Sequence, residues 1–110
     1  MKLAVEELSG LALDLAVEKA RFGERADLNA VREGYLSGAG PYYSTLWKDG
    51  GPVIESYHIE LNTLPLVPVL WYASINGRHR RSGLIPLVAA MRCLVQSKFG
   101  HTIDVPEELL

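Results

Sequence analysis

The sequence predicts an α+β domain in which two helices pack on one face of a small antiparallel sheet, in the order α-β-β(-β)-α. Three observations predict it. A helical apolar pattern lies near the start of the chain and a second near its end. Between them come a cleanly alternating segment, an almost wholly apolar one and a strong turn signal. At 110 residues the chain is the size of one small domain, residues 1–110, able to bury about two-thirds of its unfolded surface without staples.

The first helix is read from "ELSGLALDLAVEKARFG". Ser9 is placed to cap it, with Leu8 before the cap and Leu13 at the fourth helical position as a hydrophobic staple. Lys19 and Arg21 fall in its last turn and Gly23 just beyond, as helix ends prefer. At 100° per residue Leu13, Ala16, Val17 and Ala20 share one face. Leu11, Leu15 and Phe22 gather nearly opposite, and Asp14, Glu18 and Arg21 form a narrow polar stripe between. A helix apolar on two sides must be covered twice, either by its own domain or by a second subunit. Leu11, Leu15 and Phe22 are therefore the candidate self-association face of a homodimer.

Residues 22–41 are rich in glycine and charge and only weakly periodic, so a loop with at most one poor strand is expected there. "SYHIEL" alternates, with Tyr57, Ile59 and Leu61 to one face and Ser56, His58 and Glu60 to the other, the pattern of a half-buried strand. "LVPVLWYASI" reads as a more central strand, with Pro68 near its start or at an edge because proline cannot donate to a ladder. Asn76-Gly77 supplies a hairpin turn. The second helix begins near Pro86, carries one apolar stripe (Leu84, Leu87, Val88, Met91, Leu94, Val95) and ends at Gly100. Residues 101–110 form an acidic tail held through Ile103 and Val105.

Composition excludes several function classes. The formal net charge of −2 gives no global pull toward nucleic acid or anionic membrane. A single cysteine, Cys93, forbids an internal disulfide or a multi-cysteine zinc site and fits a reducing cytoplasm. No apolar run approaches the ~20 residues of a membrane-spanning helix. "MKLAVEELSG" places acids where a signal peptide needs an apolar core. The expectation is a soluble, unexported protein without a membrane partner.

The search for chemistry gives little. Asp14 and Glu18, four apart on a helix, face the same way and could bind a metal or share a proton. With no histidine near and Lys19 and Arg21 beside them, a solvated stripe is the expected reading. His58, His79 and His101 show no metal-ligand spacing. Cys93 has no local base and reads as a small packing residue. No nucleophile elbow, phosphate loop or dinucleotide fingerprint is present. No catalytic, metal or cofactor residue is expected, and the protein is read as not an enzyme.

Two segments carry candidate binding residues. Arg78, His79, Arg80 and Arg81, with Arg92 on the helix that follows, form the densest positive stretch and a candidate anion or nucleic-acid patch. It is one short segment in a chain whose acidic residues outnumber its basic ones, 13 to 11, so nucleic acid is not the favoured partner. "YYSTLWKDGGPVIE" offers Tyr43, Ser44, Thr45, Trp47, Asp49, Gly50, Gly51 and Pro52 as a candidate binding loop. Aromatics can stack on a ligand and glycines let one approach backbone, or the aromatics can pin the loop to the core. Gly50-Gly51-Pro52 is expected to turn the chain into the "SYHIEL" strand, and Asp49 shows no partner.

Taken together, "ELSGLALDLAVEKA", "YSTLWKDGGPVIE" and "PLVAAMRCLVQSKFG" followed by "IDVPEEL" resemble the small NinX-like phage proteins, a family of unknown function found in tailed phages and prophages. The resemblance runs from about Glu7 to Leu109 and is weak between Phe22 and Gly40. The family pattern usually has Trp where Leu15 stands, Asp where Leu46 stands, and Thr-Pro where this chain has Ile85-Pro86. A threonine cap for the second helix is therefore missing, and Ser82 is the nearest substitute. The resemblance implies a phage origin, a bacterial cytoplasm as the place of action, and a functional surface on the Trp47 loop. It carries over no catalytic residue.

The function expected is that of a non-enzymatic phage accessory protein that binds an unknown host or phage macromolecule. The alternative is a nucleic-acid-binding protein using the basic turn and the aromatic loop.

Overall fold

The computed structural model describes residues 1–77 and 79–110, with His79 and Arg80 described by their backbone alone. The α+β class is borne out. Among the described residues the strands make two small antiparallel sheets. One pairs β1 (Lys2–Ala4) with β5 (Thr102–Asp104), Leu3 opposite Ile103. The other has the order β2-β3-β4, built from Glu60–Leu64, Leu70–Ile75 and His79–Gly83. Its register sets Leu61 opposite Ala73 and Ala73 opposite Arg81. Asn76, in the left-handed region with φ 54°, and Gly77 make the β3–β4 turn that the sequence signals.

Four α-helices complete the architecture: α1 (Gly10–Phe22), α2 (Leu28–Ser37), α3 (Trp47–Ser56) and α4 (Pro86–Phe99). The last lies against β3 and β4 on one side and α1 on the other, while α2 packs on α1 and α3 meets α4. Both sides of α1 are thus covered within one chain. Leu13, Leu15, Ala16 and Val17 have no exposed surface, and full burial of such a leucine or valine is worth about 1.5–3 kcal/mol. The ends of α1 fall where the sequence puts them, although the Ser9 side chain makes no capping hydrogen bond. Ser9 is the N-cap residue, and the Gly23 N–H closes the last turn onto the Lys19 carbonyl.

Three local expectations are corrected. Residues 22–41 are not a loop, because α2 occupies their centre. Asp27 caps it by accepting the Ala30 N–H at 3.0 Å, and Gly38, with φ 88°, ends it in the left-handed conformation. Gly34 lies inside α2 because a Cβ there would stand 1.7 Å from the Gly40 carbonyl oxygen. Gly50-Gly51-Pro52 does not make a turn either, since all three residues lie within α3. A Cβ at Gly50 would stand 2.3 Å from the Tyr43 carbonyl oxygen and 2.6 Å from Leu87 Cδ2. Glycine is what lets the α3 backbone touch the preceding turn and α4 at once. Pro52, with no N–H, leaves the Lys48 carbonyl without its helical donor. "SYHIEL" consequently begins as the end of α3, and the strand starts only at Glu60.

The second helix of the sequence reading is α4, buried on more than one stripe. Ala89, Ala90 and Cys93 are as enclosed as Leu87, Met91, Leu94 and Val95, because the sheet lies on one side and α1 on the other. Ser82 does not cap it. Ser82 belongs to β4, and Ile85 is the N-cap residue, with no side-chain cap. In the tail, Ile103 and Val105 are buried as expected, and β5 adds a strand.

Candidate interaction site

The best-defined polar arrangement joins α1 to residues 42–49. Asp14 and Glu18, expected in solvent, are two of the side chains that hold this segment. Asp14 is fully buried, and its Oδ1 accepts the Ser44 N–H at 3.0 Å. Burial pushes its carboxyl up from 3.8 to about 6. The Ser44 hydroxyl and N–H work against that rise, and the charge of Asp49 adds to it. One turn along, Glu18 Oε1 accepts the Tyr43 phenol at 2.7 Å, and Arg21 donates to the same phenol oxygen at 3.3 Å. Burial, then the bond to Glu18, pushes the Tyr43 hydroxyl up to about 12. The other Glu18 oxygen takes the Asp27 N–H at 3.5 Å, a long bond reaching to the start of α2.

Asp49, which shows no partner in the sequence, accepts the Tyr42 N–H at 2.9 Å through Oδ2. It lies in the first turn of α3, where a carboxylate also favours the helix dipole. Tyr42 in turn donates its phenol to the Tyr35 carbonyl at 2.8 Å, with the two rings 5.4 Å apart. The Leu46 N–H returns to the Tyr42 carbonyl at 3.0 Å. The segment is therefore fixed from beneath at Tyr42, Tyr43 and Ser44. What it raises to the surface is apolar. Trp47 is 55% exposed and Leu46 40% exposed, beside exposed Thr45 and Lys48. A large aromatic on a rigid base, uncovered by its own core, is the form that binding anchors take.

The other candidate residues are dispersed. Arg78, and the side chains of His79 and Arg80, lie outside the described residues. Arg81 is turned inward, with Nη2 on His101 Nδ1 and Nη1 4.0 Å from Glu6. Arg92 spends Nε on the Leu8 carbonyl at 2.8 Å and Nη1 on the Ser82 carbonyl at 2.9 Å. These two cations tie the sheet, the N-terminal segment and α4 together. They do not open to one face as a patch would require.

The Leu11, Leu15 and Phe22 face does not exist as a surface. Leu15 is wholly buried, Leu11 packs against the core, and only Phe22 is exposed, with the Arg21 guanidinium 4.8 Å from its ring centre. The two-sided helix is explained by α2, which the sequence reading lacked.

Cys93 is buried, and burial pushes its thiol up to about 11, against the pull of Arg81 and a backbone bond from Ile75. A thiol so raised is a poor nucleophile. Among the described residues no three of His, Cys, Asp and Glu group as a metal would need, and no helix is long and apolar enough to cross a membrane.

One exposed group escaped the sequence reading. The β2–β3 connection and the entry to α4 present Leu64, Leu66, Val67, Val69, Leu84 and Ile85 at one end of the sheet. The signal was there, since residues 61–77 contain no charged side chain.

No curated protein matches the chain. A family model does, described as that of the NinX protein of bacteriophage P22, and it matches residues 4–98. That span takes in α1, the pinned turn, α3, the three-stranded sheet and nearly all of α4. The chain belongs to the NinX family of phage proteins.

Proposed function

We propose that this protein is a non-enzymatic phage accessory factor that works in the bacterial cytoplasm by binding a host or phage macromolecule through the start of α3. Trp47 is the anchor, and Leu46, Thr45 and Lys48 surround it. The observation that carries this reading is the exposure of Trp47 at the start of α3, just after a turn in which Tyr42, Tyr43 and Ser44 are each tied to α1 or α3. An exposed tryptophan on a mobile tip would lose conformational entropy on binding. Here that entropy has already been lost on folding. The nucleic-acid alternative draws on fewer residues than the sequence offered, because Arg81 and Arg92 already serve backbone carbonyls and side chains of the fold.

The test is capture from phage-infected cells with wild-type and Trp47→Ala baits, then titration of each purified captured component by calorimetry. Loss of at least about 30-fold in affinity on truncating Trp47, the mark of an anchor of ~2 kcal/mol, supports the reading. A purified partner that binds both proteins equally sinks it. A partner that proves to be nucleic acid, released by charge reversal at Arg80 and Arg81, transfers the function to the alternative.

A further inference from the structure

The strand β2 lies at the edge of its sheet. It pairs with β3 on one side, and among the described residues no strand lies on the other. Glu60, Asn62, Thr63 and Leu64 of its five residues are exposed. Backbone N–H and C=O groups left free along such an edge are a template for another strand. Folded chains commonly guard an edge with charge. The opposite edge, β4, follows that rule, because Arg81 stands at its middle and a twofold self-pairing there would set arginine against arginine. No such guard protects β2. Its one charge, Glu60, is at its end, and residues 61–77 are uncharged.

The two ends of this edge differ in shape. Past its C-terminal end the chain raises Leu66, Val67 and Val69, of which Val67 is fully exposed. Before its N-terminal end lies an open cavity of about 400 Å³, lined in part by Tyr57, His58 and Ile75. Val67 and Tyr57 stand at equal distances in sequence on either side of Asn62, the middle residue of β2.

We propose that the β2 edge is a self-association surface. A second copy of this chain pairs its own β2 there, antiparallel, about a twofold axis at Asn62, and the two three-stranded sheets become one sheet of six strands.

The register follows from the axis. Glu60 of each copy lies opposite Leu64 of the other, and Leu61 opposite Thr63, so no like charges meet. Beyond the paired residues, Leu66 and Val67 of each copy run toward His58 and Tyr57 of the other. The apolar projection at one end of the edge is thereby carried to the cavity at the other end, and the symmetry does this twice. A foreign strand could use the same backbone groups, but only a second copy uses both ends of the edge. Because both copies offer the same five residues, the pairing closes at two chains and does not propagate. Pro65 bounds it, since proline cannot extend the ladder.

The inference does not rest on the Trp47 reading. Trp47 opens α3 and Tyr57 follows its last residue, so the two places are separated by about 15 Å of helix. A dimer joined through β2 displays two Trp47 anchors.

The test is sedimentation equilibrium of the full chain from micromolar to millimolar concentration. A mass that rises to that of two chains and no further supports the proposal. A chain that stays monomeric at millimolar concentration overturns it, and so does assembly beyond two chains. Val67→Asp, at a fully exposed position, keeps the fold, which its unfolding midpoint checks, and should weaken the dimer at least about tenfold. Asn62→Lys and Asn62→Glu should each do the same, because each sets like charges against one another at the axis. An equal mixture of those two variants should dimerise again, which a merely structural defect would not allow. A mixture that stays monomeric, or a dimer untouched by all three substitutions, overturns the twofold register. Should the Asn62 variants fail to fold, Val67→Asp decides alone. Trp47→Ala should leave the dimer as it is, and a dimer lost there but kept in the β2 variants overturns the proposal.

Discussion

Glu18 Oε1 accepts the Tyr43 phenol at 2.7 Å across 25 positions of sequence, and Arg21 supports the same phenol oxygen from the next turn of α1. This contact joins the polar stripe of the first helix to the aromatic turn. It makes the stripe an internal seam and not a solvated face.

Removing the phenol oxygen should be costly. Tyr43→Phe leaves the ring in place and strands Glu18 and Arg21 of a shared partner in a half-buried position. The expected loss is about 1–3 kcal/mol, read from urea unfolding midpoints. A loss below a few tenths would mean that water replaces the phenol without penalty.

The two helical glycines of α3 should respond in opposite directions. Gly50→Ala drives a methyl into the Tyr43 carbonyl and Leu87, and about 1–3 kcal/mol of stability or more should be lost. Gly51 has open space around its Cβ position, so Gly51→Ala should stabilise by up to ~1 kcal/mol through helix propensity alone. Thermal unfolding of the pair checks both signs at once.

How much of this was legible beforehand varies by element. The first and last helices, the central strand and the Asn76-Gly77 turn follow from period, caps and turn chemistry, which are local. What was missed depended on tertiary contacts. Gly50 and Gly51 argue for a turn by propensity, and α3 forms because its backbone must lie against Tyr43 and α4. Gly34 similarly hides α2, although the Asp27 cap was readable. The burial of Asp14 has no local signature at all, because its partner Ser44 arrives 30 residues later. Trp47 was found as a candidate from composition, yet only its surroundings decide that it is displayed.

Asp14 should also leave a mark on the pH dependence of stability. Its folded-state carboxyl lies at about 6 against the ordinary 3.8, so the folded protein binds this proton more tightly than the unfolded chain. The stability it contributes is fully present below about pH 4 and is lost as pH rises through 6, to the order of 3 kcal/mol. Asp14→Asn should remove that component. Relative to wild type, the variant should gain between pH 5 and 7.5, as measured by urea midpoints at the two values.

Leu15 should behave as core and not as interface. Leu15→Ala is expected to cost about 2–5 kcal/mol, with sedimentation that follows the wild-type protein at every concentration. A variant of native stability whose association state changed would restore the dimer face.

The carbonyl of Gly34 receives the N–H groups of Gly38 and Gly40 at 3.1 and 3.0 Å, in a space that a Cβ at position 34 would fill. That crowding offers a test for reading sequences of relatives. Any homologue with a side chain at the equivalent of Gly34 must send its chain by another route after α2. The Tyr42 backbone could not then reach the carboxylate of Asp49, and the platform beneath Trp47 would be rebuilt. A glycine there marks a relative in which this platform can be transferred by homology. Any other residue marks one whose contact surface needs its own structure.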